Sequence, residues 1–407
     1  MRFDLNSGSI QLQQHSLPFA TSSESPHGSE VPTTSVIIPA RNAERELAAC
    51  LRSVRSSVGI QPEIIVVDDD SRDSTSAMAG EFEVDHLLRL ARQSGPAIAR
   101  NAGARLASGQ ILIFLDADVI LKPDTISRLA DAIHSGRWTA VFGSYCDQPT
   151  APGLVSQFRN LLHHFTHQSS QPEAGTFWSG CGAVHRDVFW SVGGFSEQYS
   201  DPSIEDIEFG MRLRDQGHKI RLDAGIMVTH QKRWTLFATI QTDIFRRGIP
   251  WTRLLMSRGR IPNDLNLRWS QRLSVVATAV LLAAMLLQTF ADHSAFVLPA
   301  ILGGSLCLAE TTAAAGFLHS ACLMMVFTLL LLQILAATLW PVTGLTILLS
   351  TLMIAGLNRN LLAALGRLRG KCFAVACVPL LINYFACCGV SFAAGVLLHG
   401  IRKGHQT

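Results

Sequence analysis

The sequence predicts an α/β domain with a mainly parallel sheet flanked by helices, followed by a C-terminal helical transmembrane region. Through residues 31–230, short apolar segments alternate with amphipathic segments of helical period, an order typical of a parallel sheet covered on both faces. Residues 273–291 carry no charged side chain, and their number is close to the ~20 that a helix needs to cross a bilayer. Residues 1–30 are polar and rich in Ser, Gln and Pro, so we expect a disordered leader there.

Each strand and helix of the α/β domain has a local signal. The first strand, SVIIP at residues 35–39, is apolar and is stopped by Pro39. A helix follows, because the apolar residues from Leu47 to Val54 share one helical face. Residues 96–109 have Pro at the start and Gly at the end, which indicates another helix. The same alternation predicts strands at 63–67, 86–90 and 110–115, and helices beginning near Thr75 and Lys122.

Carboxylates follow two of the predicted strands directly. Asp68, Asp69 and Asp70 come after one strand, and Asp116 and Asp118 come after another. The carboxyl ends of parallel strands meet at one edge of the sheet, where such folds bind ligands. Like charges collected there repel one another unless a cation or hydrogen-bond donors compensate them. A divalent cation joined to a diphosphate would do so; the alternative is that these acids form turns and cap helices.

Six motifs occur in a fixed order: SVIIPARNAE, EIIVVDDDSRDST, GPAIARNAGARLASG, ILIFLDAD, SGCGAVHRDVFWSVGGFSE and PSIEDIEFGMRLRDQGHKI. Together they resemble the inverting glycosyltransferases of family 2, which have the Rossmann-like GT-A fold with a mixed, mainly parallel sheet. The resemblance covers about residues 33–250 and implies a catalytic domain over 31–230. It departs from the family after Asp69, where the usual Gly is Asp70.

The resemblance implies a donor site for a nucleotide-sugar. Arg100 would meet the diphosphate or the base, and either Asp68 or Asp69 would contact the nucleobase. Asp116 would touch the ribose or the water shell of the metal. The residues implied to line the donor site are Pro39, Arg41, Glu44, Asp68, Asp69, Arg100 and Asp116.

The resemblance also implies a metal site, a base and an acceptor side. Asp118, with Asp116 near it, would hold Mg²⁺ or Mn²⁺ on the diphosphate. Asp206 would be the general base, whereas Glu205 beside it would either share this role or orient the start of its helix. The acceptor side would include Gly193, Gly194, Phe195 and Trp251.

These groups account for an inverting transfer. A metal stabilises the charge that develops on the leaving diphosphate. A carboxylate on the opposite side of the sugar accepts the proton of the attacking hydroxyl. For Asp206 the alternative is a helix N-terminal acid favoured by the helix dipole, with Ser203 as the cap.

Three further features carry weaker signals. His163, His164 and His167 have helical spacing without an acidic partner, so we expect a flexible or interfacial helix over the acceptor cleft rather than a metal site. His230 resembles a position where some relatives place a His near the metal. The segment RRGIPW at 246–251 lacks the Gln that begins the corresponding motif of processive polysaccharide synthases, which argues against processive polymerisation.

The distribution of basic residues predicts the membrane topology. Residues 231–272 are basic with interleaved apolar side chains, so we expect an interfacial segment on an anionic leaflet. No Lys or Arg occurs from Leu273 to Asn358, and a second basic loop follows at 359–371. The positive-inside rule places both basic segments, and the catalytic domain, in the cytosol. The transmembrane region 273–400 then holds five spans, at about 273–291, 295–314, 321–340, 341–357 and 373–398, or three if part of it is re-entrant.

The sequence therefore predicts a multi-pass protein of the inner cell membrane that moves a sugar from a nucleotide-sugar to a lipid-linked or membrane-located acceptor. The acceptor group is either a hydroxyl or a polyprenyl phosphate. The alternative is a catalytically silent glycosyltransferase-like subunit that regulates or docks a membrane export system. A Rossmann oxidoreductase is disfavoured, because PARNAE after the first strand is not a Gly-rich turn. The nine Cys include no pair with zinc spacing, which indicates reduced thiols. The identity of the sugar, nucleotide and acceptor and the oligomeric state stay open.

Overall fold

The computed structural model describes residues 34–259, 263, 265–309 and 341–404. The chain divides into two compact units: a first unit up to Arg268 together with the residues from Ser391, and a second unit, Trp269–Val390. The predicted leader at 1–30 lies outside the described residues.

The first unit is an α/β domain. Its described strands are β1 Thr34–Ala40, β2 Glu63–Asp68, β3 His86–Arg89, β4 Ile111–Leu115, β5 Val119–Ile120, β6 Ala140–Tyr145, β7 Glu173–Ala174, β8 Cys181–His185 and β9 Ile220–His230. Its α-helices up to the start of the second unit are α1 Glu44–Arg55, α2 Thr75–Glu81, α3 Pro96–Leu106, α4 Thr125–His134, α5 Leu154–Gln168, α6 Arg186–Ser191, α7 Glu205–Asp215, α8 Leu236–Gln241 and α9 Ile249–Arg258. A π-helix, Thr242–Gly248, joins α8 to α9, and a short 3₁₀ helix covers Leu265–Leu267.

The strands form one mixed sheet in the order β3-β2-β1-β4-β8-β6-β9-β5, with β7 paired to β9. Strands β3, β2, β1 and β4 are parallel, as are β6 and β9. Strand β8 runs antiparallel to both β4 and β6, and β5 and β7 run antiparallel to β9. The predicted mixed α/β sheet with flanking helices is confirmed, and its parallel half is the segment that the apolar runs predict.

The sheet is buried on both faces. Val36 and Ile38 of β1 pack in one cluster with α1 and α4, whereas Ile37 packs in the other with Phe114, Phe189 and Phe209. This alternation follows from the two-residue period of a strand. The predicted stop of the first strand is wrong, because β1 runs through Pro39 to Ala40. Pairing with β4 has already ended at Ile37, so Pro39 lies at an edge on that side, where a missing N–H is tolerated.

The second unit is helical. Its helices are α10 Trp269–Ala309, the described helix α11 Pro341–Leu357, α12 Arg359–Arg369, α13 Lys371–Ala376 and α14 Val378–Gly404, the last of which ends in the first unit. Within the described residues, Trp269–Thr289 and Lys371–Ile401 are long and apolar enough to cross a membrane, judged by length and composition. The pair α11 and α12, bent by 70°, makes a third candidate if it is a single broken span.

The predicted basic loop at 359–371 is wrong, because most of it is the helix α12, with Leu361 and Leu365 buried. At the bend before it, the buried Asn358 Nδ2 donates to Ser274 Oγ of α10 at 2.9 Å. The predicted number of spans stays a prediction, since residues 310–340, where two predicted spans fall, lie outside the described residues.

Candidate functional site

Arg100 of α3 connects the two halves of the candidate site. Its Nη2 donates to Asp116 Oδ1 and its Nη1 donates to Glu205 Oε1, each at 2.8 Å. The guanidinium carbon lies 5.6 Å from the ring centroid of Phe195. Burial alone would lower the pKa of Arg100, but the charges of Asp116 and Glu205 raise it above its usual value. The end of β4 and the start of α7 are therefore held together by one charged side chain.

Asp206, at the start of α7, is held by backbone and hydroxyl donors. Its Oδ2 accepts hydrogen bonds from Ser179 N at 3.1 Å and Ser179 Oγ at 3.3 Å, and its Oδ1 accepts one from Ile207 N at 2.8 Å. Burial and the neighbouring Glu205 raise the pKa of Asp206 to about 6, against the lowering effect of Arg100. The Asp206 carboxylate is therefore held in a fixed orientation, and its pKa is higher than that of an ordinary Asp. Its side chain is partly exposed.

Asp206 does lie in the first turn of α7, but the predicted Ser203 cap of this helix is wrong. The residue before α7 is Ile204, with no side-chain cap, and Ser203 Oγ instead donates to Arg246 O at 2.6 Å. Glu205 is engaged at both oxygens, by Arg100 and by Ser203 N at 3.0 Å. These contacts favour an orienting role for Glu205 over a share in proton transfer.

Asp118 faces His230, the last residue of β9. Strand β5 pairs with the end of β9, with Val119 opposite His230, and this pairing brings Asp118 Oδ2 to 3.4 Å from His230 Nε2. The opposite ring nitrogen of His230, Nδ1, lies 2.6 Å from Asn160 Oδ1. Burial alone would raise the pKa of Asp118, but the hydrogen bond and charge of His230, with Lys232, hold it below its ordinary value.

The Asp118–His230 pair has the donor chemistry of a divalent-metal site. A carboxylate oxygen and an imidazole nitrogen are both common ligands of Mn²⁺-type ions. In the part of the chain that the structure describes, no group of three or more His, Cys, Asp or Glu side chains is arranged to hold a metal. Oxygens of a bound diphosphate would therefore have to complete the coordination, as they commonly do for Mg²⁺ and its relatives.

Asp116, Asp118 and Asp206 all lie near Tyr145. The adjacent residues Ser179 and Gly180 reach two of them, because Gly180 O accepts from Asp116 N at 3.1 Å while Ser179 binds Asp206. The pKa of the Tyr145 hydroxyl also indicates that the three carboxylates lie close to this side chain. Burial raises it well above its ordinary value, and the charges of Asp118, Asp116 and Asp206 all add to this effect.

The loop after β2 uses its acids to hold its own shape. Asp68 has no exposed surface and accepts hydrogen bonds from Ser71 N at 2.9 Å and from Ser76 Oγ. Asp69 accepts from the backbone N–H groups of residues 94 and 95, at 2.6 and 2.9 Å. Asp70, in the place of the Gly usual in the resembling family, has φ 57°, a left-handed conformation that Asp tolerates better than most residues.

The other predicted donor-side residues lie at the same edge of the sheet. Pro39 is near the end of β1 and Arg41 is exposed just beyond it. Glu44 joins the two loops, because its Oε2 accepts from Ser74 N at 3.1 Å and its own N–H donates to Asp73 Oδ2 at 3.3 Å.

The predicted acceptor-side residues are divided between the core and a helix. Gly193 and Gly194 have φ values of 87° and 64° and form a turn that glycine favours. Phe195 is 1% exposed, so it packs against Arg100 in the core rather than facing an acceptor. Trp251 lies in α9, and its buried Nε1 has no hydrogen-bond partner among the described residues.

Helix α5, which carries the three histidines, is not flexible as expected, because it is docked against β6; its place over the acceptor cleft stays a prediction. His164 Nδ1 lies 2.7 Å from Tyr145 O, and His167 Nδ1 lies 3.1 Å from Gly143 O. Burial lowers the pKa of His167 to about 4 despite its hydrogen bond to Gly143. With Asn160, these side chains occupy one helical face at intervals of four and three residues, which accounts for their spacing without a metal. Sequence reasoning missed Asn160 and Tyr145, since neither belongs to a motif.

The part of the chain that carries Arg100, Asp116 and Asp118 matches a known protein family. Residues 35–193 match the family model described as Glycosyl transferase family 2. Validoxylamine A glucosyltransferase of Streptomyces hygroscopicus subsp. jinggangensis is 28% identical over 244 residues, covering 50% of this chain and 57% of the relative. The UDP-Glc:alpha-D-GlcNAc-diphosphoundecaprenol beta-1,3-glucosyltransferase WfgD of Escherichia coli is 31% identical over 113 residues, covering 27% of this chain and 45% of the relative. The chain thus spans about half the length of these relatives.

Among solved structures, the mannosyltransferase PcManGT from Pyrobaculum calidifontis, in complex with GDP-Man and Mn²⁺, is similar over 90% of this chain and 88% of that chain. The TM-score is 0.44 and the sequence identity is 15%.

Arg100→Met should destabilise the chain strongly, because it leaves Asp116 and Glu205 close together without their cation. Removing one partner of a buried ion pair costs about 3–5 kcal/mol. The matched control on the same helix is Arg105→Met, which removes an exposed pair with Glu197 at 3.3 Å and should cost less than about 1 kcal/mol. Thermal unfolding of the purified chain in detergent measures both. Equal midpoints for the two variants would show that Arg100 does not hold the site together.

Proposed function

We propose, from the premise that residues 35–193 form a glycosyl transferase family 2 domain, that this chain is an inverting glycosyltransferase. It transfers a sugar from a nucleotide-sugar donor to a hydroxyl of a lipid-linked or membrane-located acceptor. The observation that carries this proposal is that Asp116, Asp118 and Asp206 all lie near Tyr145, with Arg100 bonded to Asp116 at 2.8 Å.

Asp118 and His230 are proposed to hold the divalent metal. Their facing atoms, Oδ2 and Nε2, lie 3.4 Å apart, so both can contact one ion that also contacts the donor diphosphate. The ion would supply a positive charge where the leaving diphosphate becomes more negative. Because imidazole suits transition metals better than Mg²⁺, we expect Mn²⁺ to support activity better. Asp116, already bonded to Arg100, is left to orient the ribose or a water of the ion.

Asp206 is proposed to act as the general base. Its carboxylate is oriented by Ser179, and a pKa of about 6 keeps it ionised at neutral pH while close enough to accept a proton efficiently. As the acceptor oxygen bonds to the anomeric carbon, its proton passes to Asp206 and the bond to the diphosphate breaks on the opposite face. One such displacement inverts the anomeric centre.

A membrane-located acceptor is supported by the helical unit that follows the domain. Two described helices are long and apolar enough to cross a membrane. The Escherichia coli relative acts, by its name, on a diphosphoundecaprenol-linked sugar. A chain attached to the bilayer would meet such an acceptor at high local concentration, with nucleotide-sugars supplied from the cytosol.

The segment from Lys232 to Arg247 is proposed to lie on the membrane surface. Leu236, Phe237 and Phe245 are 45%, 76% and 64% exposed, and exposed basic residues flank them. Interleaved apolar and basic side chains of this kind bind the interface of anionic bilayers.

The base role is tested by Asp206→Asn, for which we expect transfer to fall about 10²–10⁴-fold while donor binding is kept. In the wild type, kcat/KM should fall about tenfold per pH unit below pH 6, because protonated Asp206 cannot accept a proton. Asp201→Asn, an exposed acid outside the site, serves as the control. Wild-type transfer by Asp206→Asn would remove the base role and point to an acceptor that is already ionised, such as a phosphate.

The surface segment is tested by limited trypsin cleavage at its Lys and Arg residues in vesicles. Cleavage should be slower in anionic than in zwitterionic vesicles, and the double variant Phe237→Ser/Phe245→Ser should lose this protection. Val58→Ser, which removes an apolar side chain that is 57% exposed elsewhere in the domain, should keep it. Equal cleavage of the wild type in both kinds of vesicle would contradict a membrane contact.

A further inference from the structure

We infer that Asn160 and Tyr145 are positioning residues that fix His230 with its proton on Nδ1, so that Nε2 is presented to a cation beside Asp118. The inference rests on the proposed function for the identity of that cation. The arrangement of the three side chains is independent of it.

The amide of Asn160 has only one orientation that satisfies its contacts. Asn160 Nδ2 donates to Ser156 O at 3.0 Å within α5, which turns Oδ1 toward His230 Nδ1 at 2.6 Å. A carbonyl oxygen can only accept, so Nδ1 must carry the proton. Asn160 is 1% exposed and His230 is 5% exposed, and no bulk water replaces this contact. The hydrogen bond from Nδ1 to Asn160 therefore keeps a proton on that nitrogen and leaves Nε2 as the ring nitrogen that a metal could bind.

Tyr145 fixes the plane of the same imidazole. The two rings are stacked, with centroids 4.3 Å apart and planes inclined by 14°. The backbone of Tyr145 is itself held by α5, through His164 at 2.7 Å. One edge of the His230 ring is thus bonded to α5 and one face is covered by β6. The free edge, which bears Nε2, faces Asp118 at 3.4 Å.

Part of the proposed metal site is therefore already formed in the free protein. With Nδ1 protonated and the ring held, Nε2 is the ring nitrogen that faces Asp118, and a cation bound there would take the place of any proton that Nε2 donates to Asp118. Outer-shell partners of this kind typically contribute 10–100-fold to metal affinity. Through these contacts α5 helps to position His230, although it contributes no metal ligand itself.

Nitrogen chemical shifts of ¹⁵N-His-labelled protein in detergent, at mildly alkaline pH and without metal, test the tautomer directly. His230→Gln assigns the signals. We expect Nδ1 of His230 in the wild type to be protonated, whether or not Nε2 also carries a proton. Asn160→Asp, which keeps the acceptor, should keep this pattern, and Asn160→Leu should lose it. Thr166→Val, which removes another hydrogen bond on α5, should leave the pattern unchanged.

Mn²⁺ affinity, measured by electron paramagnetic resonance with and without UDP, is the second readout. It should fall 10–100-fold in Asn160→Leu and stay near the wild-type value in Asn160→Asp and Thr166→Val. An unprotonated Nδ1 in the wild type, or unchanged shifts and Mn²⁺ affinity in Asn160→Leu, would overturn the inference; the wild-type spectrum alone decides it should Asn160→Leu fail to fold. If the wild type shows the expected tautomer but binds no Mn²⁺ with or without UDP, the arrangement stands and the proposed metal-dependent function fails.

Discussion

The buried guanidinium of Arg100 is the interaction on which the site depends. It binds Asp116 at the end of β4 and Glu205 at the start of α7, both at 2.8 Å, and so joins two segments that are far apart in the sequence. Without it, these carboxylates and Asp206 would repel one another in a region where burial already disfavours charge. The same cation also limits the rise in the pKa of Asp206, which burial and Glu205 bring to about 6. Arg100 therefore both joins the two segments and lowers the pKa of the proposed base.

Around this centre the sheet supplies two functional edges. The pairing of β5 with β9 delivers His230 to Asp118, and the Ser179–Gly180 segment before β8 contacts Asp206 and Asp116. In the proposed reaction these edges lie on opposite sides of the sugar, with the cation at the leaving group and the base at the attacking hydroxyl. Helix α5 has no reacting group in this proposal, yet it positions His230 through its contacts with β6 and β9.

Much of this fold is predictable from the sequence where local pattern decides the structure. Strands β1, β2 and β4 are apolar on both faces, and their neighbours α1 and α3 have clear periodicity or boundary residues, so their existence follows from composition. The two-residue strands β5 and β7 and the reversed direction of β8 are set by distant pairings that no local pattern encodes. The candidate carboxylates follow from motifs and strand ends. Asn160 and Tyr145 do not, because an ordinary helix face and a strand end acquire their role only when β9 returns beside them. Helical spacing of His164 and His167 likewise does not reveal that their partners are backbone carbonyls.

The central proposal is that Asp118 helps to bind a cation together with a diphosphate. Calorimetric titration of UDP, GDP and dTDP into the purified chain, with Mn²⁺ and with EDTA, tests it most directly. We expect at least one nucleotide to bind only with Mn²⁺. Asp118→Asn should abolish this binding, whereas Asp124→Asn, at an exposed acid nearby, should not. Nucleotide binding that is equally strong in EDTA, or that survives Asp118→Asn unchanged, would contradict it.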